Sequence, residues 1–364
     1  MREKAGAVVD WDRFAKVVAH HRLSALAADG LRRADIPVPD PVAADAAKEA
    51  RKALDMAGET VRLARAFEDA GIGALSLKGA VLAQLAYGEL GIKQSWDIDM
   101  LVSQESVLEG CRVLQQHGYD LIYPKGGERH LTRFMRYAKE CVLFNNERGI
   151  AVELHWRLTD NRQLLHGVDG DGQKQRVAIG RHQVSTFAEA PLFAHLCVHG
   201  AAHGWSRLKW LADLNALLAG RPSADIGRLC REARRVGAGS APAGALLLCH
   251  RLFGLPLDPR LSRSLEREPG AEAIAETAVR CMAHGGGYRE FPTLSMAGWL
   301  RTRSQFQIMP GLRYALSELA ALWTSGPERA RIELPESLDF LYHVMRLPLL
   351  VHRRGVGLLG RSRT

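Results

Sequence analysis

The sequence predicts an α+β fold, a small mixed α/β core set between two helical regions, and three observations predict it. Residues 1–70 are rich in Ala, Leu, Lys and Arg, with apolar positions at helical spacing. At Gly71 the pattern changes to short apolar runs separated by turns, some alternating polar and apolar as strands do. From about Ala190 helical patterning returns, broken at intervals by Gly and Pro. The expected division is a helical segment at 1–70, an α/β core at 71–190 and a helical region at 191–364. A chain of 364 residues suits two or three such units, and a hydrophobic content of 47% excludes wholesale disorder.

Each element follows from local chemistry. Ile36-Pro37-Val38-Pro39-Asp40-Pro41 stops one helix, because proline cannot continue it, and helix formers resume over 42–70. Ala74-Leu75-Ser76-Leu77 reads as a short strand, Lys78-Gly79 as a turn and 80–87 as a helix. Residues 97–102 read as a strand, and 104–117 as a helix with Leu108, Cys111 and Leu114 on one stripe. Leu121-Ile122-Tyr123 is strand-like, and Gly126-Gly127-Glu128-Arg129-His130 reads as a surface loop near the cleft. Residues 140–145 and 150–156 read as two strands joined by Asn146-Glu147-Arg148-Gly149, a hairpin-turn composition. Breaks at Gly220-Arg221-Pro222, 237–239, Gly254-Leu255-Pro256 and Gly285-Gly286-Gly287 divide the last region into several helices, and the last of these lacks the context of a phosphate loop.

A formal charge of +9 favours phosphate-bearing partners, although Arg353, Arg354, Arg361 and Arg363 place part of it in a basic, apolar tail beginning near Tyr342. The six cysteines form no C-x-x-C pair and read as free buried thiols of a reducing compartment. Met1-Arg2-Glu3-Lys4 leads into no apolar signal core, and no apolar run is long enough to span a bilayer. The expectation is a cytoplasmic protein without a transmembrane segment.

The chemistry-bearing residues are few. Side chains alternate along a strand, so Asp97 and Asp99 share one face while Ile98 and Met100 share the other. Two carboxylates side by side repel unless a cation sits between them, and hard oxygen ligands select Mg²⁺ or Mn²⁺. Glu153 and His155 share a face by the same rule, and if the two strands are neighbours Glu153 becomes a third carboxylate. Three carboxylates can hold two metals for in-line displacement at phosphorus. Lys78-Gly79 opens a helix whose N-terminus attracts phosphate, glycine allows close backbone approach, and Lys78 adds a point charge.

Taken together, Leu77-Lys78-Gly79, Asp97-Ile98-Asp99-Met100-Leu101-Val102 and Glu153-Leu154-His155-Trp156-Arg157 resemble the L-K-G turn, D-x-D-x-L-V strand and E-x-H-W-x strand of the uncharacterised bacterial nucleotidyltransferases of the polymerase-β-like superfamily. The resemblance covers about residues 65–215. It implies a polymerase-β-like core and metal-dependent transfer of a nucleoside monophosphate from a nucleoside triphosphate, with pyrophosphate leaving. It further implies that Asp97 and Asp99 bind both metals and Glu153 the one nearer the acceptor. Two departures stand out. Gly79-Ala80 replaces the superfamily's Gly-Ser, losing a hydroxyl on phosphate, for which Lys78 would compensate. Lys93-Gln94 stands where relatives often carry Arg and Pro before the D-x-D, which makes Lys93 a candidate phosphate contact.

Downstream, the stretch from His199 through Trp205, Arg207-Leu208-Lys209-Trp210 and Asp213 resembles a further block of that family. Arg207 and Lys209 are candidate phosphate contacts, Asp213 a candidate to orient the acceptor, and His155 a candidate acceptor contact or acid/base. His195, His199 and His203 recur at four-residue spacing; without a completing carboxylate they read as packing histidines rather than a zinc site. The sequence thus predicts a Mg²⁺- or Mn²⁺-dependent nucleotidyltransferase with an NTP donor, ATP foremost, and an acceptor that is a small molecule, peptide or protein. The rivals are an RNA-binding or RNA-modifying protein and a catalytically quiet nucleotide-binding scaffold; nucleic acid is the less favoured partner because no aromatic-basic reading motif is present.

Overall fold

The computed structural model describes residues 10–168, 172, 174–283, 296–324, 329, 338 and 340–342. The expectations about the first residues, the Gly285-Gly286-Gly287 break and the basic tail lie outside the described residues.

The described residues begin with three helices, α1 (Trp11–His21), α2 (Ser24–Arg33) and α3 (Asp40–Asp69). Asp10 caps α1, its carboxylate accepting from Arg13 N at 2.8 Å. Pro41 falls in the first turn of α3, where a missing N–H costs nothing, so the proline run that stops one helix also starts the next. The 30 residues of α3 bury Met56, Leu63 and Phe67 against the sheet. Nearer its start Val42 and Ala46 pack with Val18, Ala25 and Ala28. Its buried Glu59 is matched by Arg62 and by the Tyr119 hydroxyl at 2.6 Å.

The core is a five-stranded sheet in the order β1 (Leu75–Ser76), β2 (Asp97–Leu101), β5 (Ile150–His155), β4 (Glu140–Asn145), β3 (Asp120–Tyr123). The pair β2–β5 is parallel and the other pairs are antiparallel. Helices α4 (Gly79–Tyr87) and α5 (Val107–Gln116) follow β1 and β2. One sheet face carries Ile98, Met100, Cys141, Leu143, Val152 and Leu154, which pack with Phe67, Val107 and Leu114. The opposite face carries Asp97, Asp99, Glu140, Glu153 and His155. Leu101, also on that face, packs into the larger cluster built by the C-terminal helices.

The segment read as a surface loop at 126–130 is instead the entry to a helix, α6 (Glu128–Phe134). Leu131 and Phe134 are buried in the sheet core, and His130 is buried with Nε2 2.6 Å from Arg329 O. The apolar spacing of this turn outweighs Gly126-Gly127, and Gly126 is needed where a Cβ would lie 2.6 Å from the His130 ring. A second element not assigned from sequence is the hairpin β6 (Lys174–Ile179) and β7 (His182–Phe187), turned at Gly180-Arg181 with Gly180 at φ +59°. Its Val177, Ile179 and Val184 pack on Ala80 and Val81 of α4.

Among the described residues the remaining elements are helices: α7 (Glu189–Ala202), α8 (Leu208–Leu218), α9 (Ser223–Arg235), α10 (Ala241–Phe253), α11 (Pro259–Glu266), α12 (Ala271–Ala283), α13 (Met296–Gln307) and α14 (Leu312–Thr324). The breaks between α8 and α11 fall at the Gly and Pro clusters. Helix α7 lies at the centre of the large cluster through Phe193, Cys197 and Ala201. All six cysteines are free and buried. Among the described residues no helix is long and apolar enough to cross a membrane.

Candidate active site

The parallel pairing of β2 with β5 brings the acidic residues together, setting Asp99 opposite Glu153 and Leu101 opposite His155. The β4–β5 hairpin adds Glu140, which lies opposite His155. Hydrogen bonds hold the ends of these strands: Val102 N donates to His155 O at 3.0 Å and Trp156 N to Lys139 O at 3.0 Å. The buried Trp156 ring donates from Nε1 to Ala138 O at 2.8 Å. Leu77 N donates to Asp99 O at 3.1 Å, so the backbone carrying Lys78 is joined to the strand carrying Asp99. Lys78 Nζ then lies 2.8 Å from Asp99 Oδ1. Gly79 begins α4 at φ +58°, a left-handed conformation that side chains disfavour, and it sits behind Lys78, beside Ser95.

This sheet face forms one wall of a cleft of about 610 Å³ whose other walls come from α7, α8, α13 and α14. The cleft brings together nearly all the residues singled out from sequence: Lys78, Lys93, Asp97, Asp99, Glu153, His155, Arg207, Lys209 and Asp213, with His195, His199 and His203 on the far wall. Gly79 alone is not in the wall. Within it, some of these residues are already engaged with each other. Lys93 Nζ lies 2.7 Å from Asp213 Oδ2, and the Tyr87 hydroxyl donates to Asp213 Oδ1 at 3.0 Å. Arg207 donates to His20 O, and Lys209 Nζ donates to Gln94 O at 3.4 Å.

The electrostatics are those of opposite charges forced together out of water. Burial raises the Asp99 carboxyl, but the Lys78 ammonium and then His155 overcome it and hold the group below the usual carboxylate range. Lys78 is likewise penalised by burial, yet Asp99, Asp97 and Glu153 hold it above the usual ammonium value. Asp97 and Glu153 are pushed up, by burial first and then by neighbouring carboxylates, Glu153 despite its contact with His155. Burial would keep His155 neutral, but the Glu140 carboxylate raises it to about 9. Lys209, buried and facing the cations Lys93 and Arg22, falls to about 7.

Asp99, Glu153 and His155 each offer one ligand atom, and these atoms lie within 4.8 Å of one another. Asp97 shares their face and wall without joining that trio. The residues fit a divalent cation. Carboxylates gather on one face, and the buried ring of His155 has no aligned hydrogen bond at either nitrogen.

Sequence reasoning missed Glu140, Lys139 and Asp160, which also line the cleft. Glu140 contacts both Lys139 and His155. A signal for Glu140 was present in the hairpin turn. With Asn145 paired to Ile150, counting five residues outward on each strand meets Glu140 and His155. Asp160 has no such signal, because it follows the sheet in irregular chain.

No curated protein matches the chain. Residues 7–254 match the family described as "Uncharacterised nucleotidyltransferase", a span that includes every strand of the described residues and every acidic residue of the cleft except Glu318. With two thirds of its length matched, this chain belongs to that nucleotidyltransferase family.

Proposed function

We propose that the chain is a metal-dependent nucleotidyltransferase that moves a nucleoside monophosphate from an NTP, ATP foremost, to an acceptor that is a small molecule, a peptide or a protein. The observation that carries this reading is the pairing of Asp99 with Glu153 across two parallel strands, beside Lys78, in a cleft lined with cations. Asp97, Asp99 and Glu153 would hold Mg²⁺ or Mn²⁺. When bound, such an ion would neutralise phosphate charge and lower the pKa of an acceptor hydroxyl.

The chain's own residues supply the remainder. Lys78, Lys209 and Arg207 offer positive charge to the triphosphate from opposite walls. At about 7, Lys209 would take up a proton when phosphate arrives. Lys93 reaches the triphosphate only by exchanging Asp213 for phosphate; otherwise the pair shapes the wall. The acceptor oxygen attacks the α-phosphorus, the bond from that phosphorus to the bridging oxygen breaks, and pyrophosphate leaves. Glu153 takes the acceptor's proton, or the proton passes to water from an acceptor whose pKa the ion has lowered. His155 orients Glu153 and Asp99 from between them. We take 71–190 as the catalytic unit and the helices of 1–70 and 191–364 as its supports. The buried free thiols support a cytoplasmic setting.

The test is nucleotidyl transfer itself. Each NTP, labelled at the α-phosphate, is incubated with protein and cell extract, with and without Mg²⁺ or Mn²⁺. Metal-dependent label transfer with pyrophosphate release, lost in Glu153→Gln, is expected. Absence of both products with every NTP, in folded protein, would leave the scaffold reading.

A further inference from the structure

His155 is fixed more firmly than a general polar contact requires. It ends β5, its carbonyl accepts from Val102 N at 3.0 Å, and the next residue is the buried Trp156. The residue is only 4% exposed. Its Nδ1 lies 3.1 Å from Glu140 Oε2, while Nε2 lies 3.5 Å from Asp99 Oδ1 and 3.6 Å from Glu153 Oε2. None of these approaches is an aligned hydrogen bond.

One carboxylate behind an imidazole and two in front of it is how metal-binding histidines are oriented and kept basic. The spacing agrees. Ligand atoms about 2.1 Å from a shared ion stand about 3.0 Å apart at a right angle and about 3.4 Å apart at a tetrahedral angle. The observed 3.5 and 3.6 Å are close to the tetrahedral spacing and need about 0.5 Å of contraction to the right-angle spacing of an octahedral ion such as Mn²⁺, in a trio whose ligand atoms all lie within 4.8 Å.

We propose that Asp99, Glu153 and His155 Nε2 form a mixed oxygen–nitrogen metal site, braced by Glu140, that takes a first-row transition ion such as Mn²⁺ in preference to Mg²⁺. The inference rests on the transferase reading only in placing the metal in the nucleotide cleft. Magnesium holds oxygen ligands and water and gains little from imidazole, whereas the first-row ions gain from a nitrogen donor. The competing account is an ion cluster in which Lys78, Lys139 and a protonated His155 balance Asp99, Glu140 and Glu153 with no metal at all.

The experiment uses the full chain after chelation. Mn²⁺ is titrated with and without a non-hydrolysable ATP analogue. Free Mn²⁺ is read by electron paramagnetic resonance, and nitrogen ligation by electron spin echo modulation. The expected result is bound Mn²⁺ with a nitrogen signal, displaced by Mg²⁺ only in more than about tenfold excess. His155→Ala should remove the nitrogen signal, and Glu140→Gln should weaken Mn²⁺ binding by about 10- to 100-fold. His155→Asn, which returns an oxygen at similar size, should bind Mn²⁺ without the nitrogen signal and covers the case in which the alanine variant does not fold. Mn²⁺ bound with no nitrogen signal and no response to His155 substitution would overturn the proposal and leave the transferase reading standing. Binding of the analogue with no Mn²⁺ at any concentration would favour the self-neutralised cluster and overturn it too. Failure to bind either Mn²⁺ or the analogue would bring down both readings.

Discussion

Asp99 and Glu153 lie directly opposite each other on two parallel strands, and burial and local charge treat them in opposite ways. Asp99 is matched by Lys78 at 2.8 Å, whereas Glu153 is pushed toward its neutral form. Asp99→Asn would leave Lys78 buried without its nearest counter-charge and is expected to cost about 3 kcal/mol. Glu153→Gln removes a repelled carboxylate and should leave the metal-free protein as stable as before, or slightly more so. Both should lower transfer by at least about a hundredfold. Denaturant melts of the two variants beside pyrophosphate-release rates check this; equal destabilisation by both would count against the charge assignment.

Gly79 occupies φ +58° immediately after Lys78. Gly79→Ala should cost about 1–2 kcal/mol through the left-handed backbone alone, since Ser95 Oγ at 3.6 Å leaves room for the methyl. Because the same turn aims Lys78, triphosphate affinity should fall along with the melting temperature. A melt and an NTP-binding isotherm on the one variant test both.

Much of this site is legible in the sequence. The D-x-D alternation put Asp97 and Asp99 on one face, and the hairpin turn 146–149 set β4 against β5. Whether β2 and β5 are neighbours was not legible, because strands separated by two helices and two further strands have several possible orders. The parallel register that puts Asp99 against Glu153 is a tertiary result. So is the pairing of Lys93 with Asp213, 120 residues apart, which no local pattern encodes. The 174–187 hairpin was not legible because β6 has only two buried residues, Val177 and Ile179, among exposed charged ones, and they are covered by α3 and α4 from elsewhere in the chain. The helix at Glu128–Phe134 was hidden by the glycines before it.

On the far wall, Gly200 makes room for the buried Trp205, whose ring atoms would lie 2.4 Å from any Cβ at that position. Gly200→Ala should therefore destabilise by about 1–3 kcal/mol or more, because neither α7 nor the indole can move without opening the large core. A double variant with Trp205→Leu should recover part of the loss. Additive costs measured by denaturant titration would argue against the contact.

His195 gives the protein a defined acid sensitivity. Burial, then the Lys78 charge, lowers it from its ordinary 6.5 to about 3. Above pH 6.5 the imidazole is neutral in folded and unfolded chains alike, and its contribution is complete. Between 6.5 and about 3 the unfolded chain binds a proton that the folded chain refuses. Stability then falls by about 1.4 kcal/mol per pH unit. Glu153, Asp97 and His155, shifted upward, act in the opposite sense, and His199 and His203, lowered by burial, in the same sense, so the variant is read as a difference from the wild type between pH 7.5 and 5.5. There His195→Gln should lose less stability than the wild type as pH falls; parallel curves would contradict it.

The most direct test of the account is the thermal stability of the chain against a panel of nucleoside triphosphates, with and without Mg²⁺ or Mn²⁺. Wild type is compared with an Asp97→Asn, Asp99→Asn double variant, each against its own ligand-free baseline. The account predicts a metal-dependent upward shift in the wild type, worth about 2.7 kcal/mol at a hundred times Kd, and no shift in the variant. No shift with any triphosphate in folded wild type, or an equal shift in the variant, would contradict it.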